Sequence, residues 1–171
     1  KKTDEAIKLY EQVVSADPQD FVAWTELASL RFQKEQFSDA EKGYDRALQL
    51  KADFMPALMN LGKLHMARKK FDLAIPVLEK AIVADPGSAD AFHYLGESYL
   101  QNRQGSKAVG VLNEAIRLSP IEKAEIHLRL AALYNAAGLK DRAVAEYKMF
   151  LEKVPNHAEK SKIEKYIKEN S

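Results

Sequence analysis

The chain has 171 residues, 46% hydrophobic and 30% charged, with 26 Lys plus Arg against 25 Asp plus Glu and no cysteine. That composition supports a buried core beneath a solvated surface. A net charge of +1 argues against the strongly basic face of a nucleic-acid binder, and the absence of thiols excludes disulfides and zinc–thiolate sites.

Taken in chain order, apolar residues recur at spacings of three, four and seven, which are helical spacings. They predict helices over 4–16, 22–34, 38–51, 56–68, 72–84, 90–102, 106–118, 122–136, 141–153 and 157–169. Asp20, Ser38, Asp72, Ser88 and Ser106 stand where side-chain N-caps are expected. Pro56 and Pro76 are expected in first turns, where a missing N–H is tolerated. No apolar run approaches the roughly 18–20 residues that span a bilayer, so no membrane insertion is expected. The start, Lys1-Lys2-Thr3-Asp4-Glu5, runs into amphipathic sequence and lacks an initiating Met, which reads as an excised or processed piece rather than a signal peptide.

The helices pair into a repeat. Pro18, Ala52, Pro86, Pro120 and Pro155 follow one another at intervals of 34, 34, 34 and 35 residues. Ala6, Ala40, Ala74, Ala108 and Ala143 keep the same step, as do Tyr10, Tyr44, Leu78, Leu112 and Tyr147. Val13, Ala47, Ala81, Ala115 and Phe150 form a third column. In the other helix of each unit, Leu27-Ala28, Leu61-Gly62, Leu95-Gly96 and Leu130-Ala131 align, preceded three residues earlier by Trp24, Leu58, Phe92 and His127. Small residues at matched places let two helix backbones approach closely, and such a hairpin buries its apolar stripe only by stacking on its neighbours.

Trp24-x2-Leu27-Ala28, Leu61-Gly62-x2-His65, Leu95-Gly96-x2-Tyr99 and Leu130-Ala131-x2-Tyr134, each followed by the alanine, bulky and small columns, resemble the tetratricopeptide repeat family over nearly the whole chain. The resemblance implies an all-α, right-handed superhelical solenoid of helix-turn-helix repeats. On that reading residues 1–171 form one solenoid: a half repeat over 1–20, full repeats over 21–54, 55–88, 89–122 and 123–157, and a capping helix over 158–171 bearing Ile163, Tyr166 and Ile167 on one face. The half repeat lacks a partner helix, so the natural protein is expected to continue upstream. Ala52 departs from the proline column and Phe150 from the small column, so the last repeat is expected to pack differently, against the terminal helix.

The resemblance also implies that the first helix of each pair lines a concave groove. The residues of those helices outside the apolar columns are Thr25, Glu26, Ser29 and Gln33; Met59, Asn60, Lys63 and Met66; His93, Tyr94, Glu97 and Gln101; and Leu128, Arg129, Ala132 and Asn135. Backbone-binding polar groups mixed with aromatics and methionines suit an extended peptide or a partner helix. Met59 and Met66 fit ordinary packing equally well, and Glu26, Lys63, Glu97 and Arg129 fit solvated surface. Some relatives grip a chaperone's terminal carboxylates with a Lys/Asn, Asn, Lys/Arg clamp. Asn60 matches its middle, but Thr25 and Ser29 replace the first pair and Asp90 and Tyr94 the last, so the cations such a site needs are missing.

No phosphate-cradling glycine loop, His-Glu-x-x-His motif or Gly-x-Ser-x-Gly elbow occurs. His93 and Glu97 share a helix face four residues apart, but most zinc sites need three or four ligands. His65, His127 and His157 have no evident partners in the sequence. The expectation is therefore a non-enzymatic adaptor that holds a peptide or partner protein, without metal or cofactor. Two rivals are a self-associating spacer that pairs through Ile7, Tyr10 and Val14 of the half repeat, and a substrate-recruiting region of a larger enzyme.

Overall fold

The computed structural model describes residues 2–171. Among them are ten α-helices and no strand: α1 (Lys2–Ala16), α2 (Phe21–Gln33), α3 (Phe37–Leu50), α4 (Met55–Ala67), α5 (Phe71–Ala84), α6 (Ala89–Gln101), α7 (Gly105–Leu118), α8 (Ile126–Ala136), α9 (Lys140–Lys153) and α10 (Lys160–Asn170). They fall into two compact units, Lys1–Gly87 and Ser88–Ser171. In the first, α2 pairs with α3 and α4 with α5, while α1 packs on α2 and α3 on α4; in the second, α6 pairs with α7, α8 with α9, and α10 packs on α9.

The pairing rests on the small-residue columns. Ala28, Ala40, Ala47, Ala74, Ala81, Ala108, Ala115, Ala131 and Ala143 are all fully buried. A Cβ placed on Gly62 would lie 2.6 Å from Leu78 Cδ2, and one on Gly96 would lie 2.5 Å from Leu112 Cγ. In the first hairpin the glycine changes sides: a Cβ on Gly43 of α3 would lie 2.9 Å from that of Ala28 on α2. Each contact of this kind leaves one helix without a side chain, so the other's can lie against its backbone.

The turns inside the hairpins share one design. The backbone N–H groups of Gln36, Lys70, Gln104 and Leu139 donate to the carbonyls of Arg31, His65, Tyr99 and Tyr134 at 2.8–2.9 Å. The residues just before them, Glu35, Lys69, Arg103 and Gly138, sit at φ of 56–74°. This is the left-handed C-terminal cap that satisfies a helix's last carbonyls. It starts the next helix earlier than the side-chain caps suggest. Ser38, Asp72 and Ser106 lie inside first turns, one residue past the helix start, and make no cap bond. Asp20 and Ser88, which lead first helices, do cap, accepting from Ala23 and Ala91 N–H at 2.9 and 3.2 Å. Pro76 falls in the second turn of α5, not the first. Its ring stands at the surface.

Two helices are shorter than the periodicity predicts. Residues 121–125 form turns rather than the start of α8, with i→i+3 bonds from Ala124 to Ile121 and from Ile126 to Lys123. The extra residue of the 35-residue interval is taken up in this tightened stretch, which buries Ala124. Ala124 then packs with Phe150 and Ile163, so the large residue in the small column meets α10. That helix starts at Lys160, not 157, after turns at 155–159.

The half repeat is also corrected. Val14 is buried with Ala23 and Leu27, and Ile7 and Tyr10 pack against the same cluster, so the residues named for pairing between copies are occupied by α2. Its exposed apolar side chains are Leu9, at 62%, and Val13, at 42%.

Replacing Gly96 with Leu should drive a side chain into buried Leu112 and lower stability by ~1–3 kcal/mol through overpacking. Denaturant unfolding would show this as a lower midpoint at unchanged slope, and an unaltered midpoint would contradict the helix register described here.

Candidate functional site

Side chains of α2 and α4 that lie outside the core form one wall in the first unit. Thr25 does not belong to its surface: it is 1% exposed and its hydroxyl donates to the Phe21 carbonyl at 2.8 Å. A Thr directly after a Trp reads as surface from spacing alone, yet this side chain bonds back to its own helix and packs inward. Glu26 and Gln33 are exposed, and Met59, Asn60, Lys63 and Met66 are half-buried. Ser29 is the junction. Its hydroxyl donates to the Thr25 carbonyl at 2.9 Å and accepts from Tyr44 Oη at 3.1 Å and Asn60 Nδ2 at 3.2 Å. Burial raises the Tyr44 phenol above its ordinary pKa, with the Ser29 bond opposing, so it remains a neutral donor. The amide of Asn60 is thereby fixed across the two helices.

In the second unit α6 and α8 present the corresponding wall. His93 stacks on Tyr94, with ring centres 5.6 Å apart and planes at 11°. Arg129 Nε lies 2.6 Å from Glu97 Oε1, whose side chain is 12% exposed against 57% for Arg129. The N–H is not aimed well enough for a hydrogen bond, so the contact is chiefly ionic. Burial raises the Glu97 pKa and the Arg129 charge pulls it back. Lys123 pairs with Asp90 beside them, and His93, Lys123, Ile126 and Arg129 border a cavity of about 110 Å³. Burial, then the charges of Lys123 and Arg129, hold His93 below the usual imidazole pKa. Gln101 and Ala132 are exposed. Asn135 Oδ1 accepts from Tyr166 Oη of α10 at 2.6 Å, and Leu128 shares a crevice with Tyr147 and Tyr166.

One relation was not evident from the sequence. Counting from the aligned leucines, Ser29 and Glu97 occupy the same position of their helices, as do Asn60 and Arg129. The Ser29–Asn60 and Glu97–Arg129 contacts are therefore one pairing repeated with different chemistry in the two units. Glu97 and Arg129 are ion-pair partners, with Glu97 largely buried and Arg129 at the surface. The His93–Glu97 pair is open by comparison, with Nε2 3.9 Å from Oε1. Among the described residues no three His, Asp or Glu side chains are grouped to hold a metal.

Two histidines without evident sequence partners prove to be buried. His127, in the column of Trp24 and Phe92, meets Glu146 Oε2 through Nδ1 at 2.6 Å, while its Nε2 is buried and unpaired. The available signal was a polar pair at two positions that other repeats fill with apolar residues. His65 is 5% exposed with Nδ1 buried and unpaired. His157 sits edge-on to Phe150 at 4.9 Å and accepts from the Glu159 N–H at 3.2 Å.

Burial lowers the His65 pKa below 6.5, opposed by the charges of Glu41 and Asp45 and aided by those of Lys70 and Arg68. The unfolded chain therefore binds the proton more readily just below pH 6.5, and stability falls as pH drops from there toward the lower folded value. Melting temperature should decline between pH 7.5 and 5.5, and the decline should be smaller in His65→Gln. Equal declines in the two proteins would mean that His65 contributes nothing to the acid sensitivity.

A family model described as the cilia and flagella-associated protein 70 middle TPR-like domain matches residues 1–154. No curated protein matches the chain. Among solved structures, the chain resembles MamA at 26% identity and a TM-score of 0.82, covering 90% of this chain and 89% of that one. MamA from Desulfovibrio magneticus RS-1 aligns at 21% identity and a TM-score of 0.81, over 91% and 88%. YrrB, described as a TPR protein with an unusual peptide-binding site, aligns at 22% identity and a TM-score of 0.78, over 94% and 84%. The likenesses at 21% and 22% show the fold alone. With the ten helices, these findings make the chain an all-α helical repeat solenoid.

Proposed function

The chain belongs to the cilia and flagella-associated protein 70 middle TPR-like domain family, and from that premise we propose that it is an adaptor that holds an extended peptide or a partner helix against its first-helix wall, with no catalytic step. The fold is a protein-interaction scaffold in general; the choice of surface and ligand is our reading. The observation that carries it is the repeated pairing of Ser29 with Asn60 and Glu97 with Arg129. Each pair ties one first helix to the next and holds a polar group in a set orientation at the wall. Preorganised groups lose little freedom when a ligand arrives, so more of the contact energy appears as affinity. Half-buried Met59, Met66 and the stacked His93–Tyr94 rings supply adaptable apolar contact beside them. That YrrB is described as binding peptide on this fold agrees with the reading.

A peptide selected from a random display library on the folded chain tests it. In the first unit, Met59→Ala with Met66→Ala should weaken that peptide at least ~10-fold, the loss expected for buried anchors, while helicity stays unchanged. Retained affinity, or loss only on substituting second-helix residues, would refute the wall as the binding surface.

Self-association is a second reading, favoured by the exposure of Leu9 and Val13 on α1. The residues equivalent to Val13, which are Ala47, Ala81, Ala115 and Phe150, are fully buried. If this face pairs copies, sedimentation should show a dimer that Leu9→Lys converts to monomer, and a monomer at every concentration removes the idea.

A further inference from the structure

On the opposite side of the first unit, the second helices α3 and α5 flank a pocket of about 340 Å³ floored by Leu58 and Leu61 of α4. Leu48 and Val77 form its walls, and Asp45 and Lys80 stand at its rim. Its size lies at the lower end of ligand-binding clefts, which run from roughly 300 to 1,000 Å³.

The preceding repeat shows what this space is shaped to hold. The residue equivalent to Leu58 is Trp24, and the one equivalent to Ala52 is Pro18. Trp24 packs between the Val14–Leu27 cluster and the Ala28–Tyr44 cluster, and its indole N–H donates to the Pro18 carbonyl at 3.1 Å. The two turns carrying Pro18 and Ala52 have matching backbone bonds. Asp17 N–H donates to Val13 and Lys51 N–H to Ala47, both at 2.8 Å; Asp20 N–H donates to Asp17 and Phe54 N–H to Lys51, at 3.3 and 3.2 Å. The Ala52 carbonyl thus stands where the Pro18 carbonyl stands, but the described residues offer it no donor. Two reductions in side-chain size, Trp24 to Leu58 and Pro18 to Ala52, coincide at one place, while Val77 replaces Gly43 on one wall.

We propose that this pocket receives the indole of a tryptophan carried by a partner polypeptide, seated on Leu58 and Leu61 between Leu48 and Val77 with its N–H on the Ala52 carbonyl. The ligand is not a second copy of this chain, whose single tryptophan is Trp24, already bonded to Pro18. An indole fits better than a phenyl ring or an aliphatic group because it offers an apolar body to Leu58 and Leu61 and an N–H to the Ala52 carbonyl, the donor that Trp24 supplies to Pro18. The site lies on helix faces separate from the first-helix wall, so it stands or falls independently of the function proposed above.

The test is a titration of the folded chain with N-acetyltryptophanamide, followed by methyl resonances. Leu48, Leu58, Leu61 and Val77 should shift together and saturably. The 1-methylindole analogue, which lacks the N–H, should bind about three- to ten-fold more weakly, the loss of one net hydrogen bond. N-acetylleucinamide should leave these methyls unmoved. Leu58→Trp should fill the pocket from within, abolish the shifts and place its ring out of reach of a soluble quencher to the extent seen for Trp24. Should that variant misfold, the wild-type titration still decides. Shifts scattered over the surface, no shifts, or equal affinity for the methylated analogue would each overturn the assignment.

Discussion

Everything in this fold depends on two helices of a hairpin approaching so closely that one of them carries only glycine or alanine at the contact. Gly62 against Leu78, Gly96 against Leu112, and Ala28 against Gly43 are three versions of that constraint. The first hairpin carries its smallest residue on the second helix and the others on the first, so what is kept is the contact rather than any one residue. Within each unit, hairpins held this way stack on one another.

Regular stacking has a chemical consequence. It brings the same two positions of successive first helices opposite each other, and the chain fills them with complementary groups: hydroxyl and amide at Ser29 and Asn60, carboxylate and guanidinium at Glu97 and Arg129. A wall built this way is already hydrogen-bonded and charge-paired before any ligand arrives. Its exposed ion pairs add little to folding stability, and their weight lies in orientation. The charge of Arg129 is matched by Glu97 and that of Lys123 by Asp90. This agrees with the absence of the cations a terminal-carboxylate clamp requires.

Interest concentrates where the repeat is broken. Leu58 and Ala52 open a pocket where the preceding repeat is closed by Trp24 and Pro18. The extra residue before α8 tightens the backbone at 121–125 and buries Ala124 against Phe150 and Ile163. His127 and Glu146 put a polar contact at positions held by Trp24 or Phe92 and by Val77 or Val111 elsewhere. A repeat protein has many equivalent positions, and each one records what the others would look like if nothing else were required of them. That internal comparison is what makes these three departures interpretable.

The sequence by itself determined the helices, their pairing and the family, because helical periodicity and small-residue columns are local or short-range signals repeated four times over. It placed Asn60, Glu97 and Arg129 on the first helices for the same reason. It misplaced Ser38, Asp72 and Ser106 because a backbone cap, built from a left-handed residue that can be Glu, Lys or Arg as well as Gly, had already set where the next helix begins. Only the tertiary structure decided that Thr25 points inward, that Ser29 joins Tyr44 to Asn60, that His127 faces Glu146, and that α1 buries Ile7, Tyr10 and Val14 while leaving Leu9 and Val13 exposed. Those are contacts between residues up to 31 apart in the chain. Their existence depends on differences of a few tenths of an ångström in how closely helices pack, which periodicity does not carry.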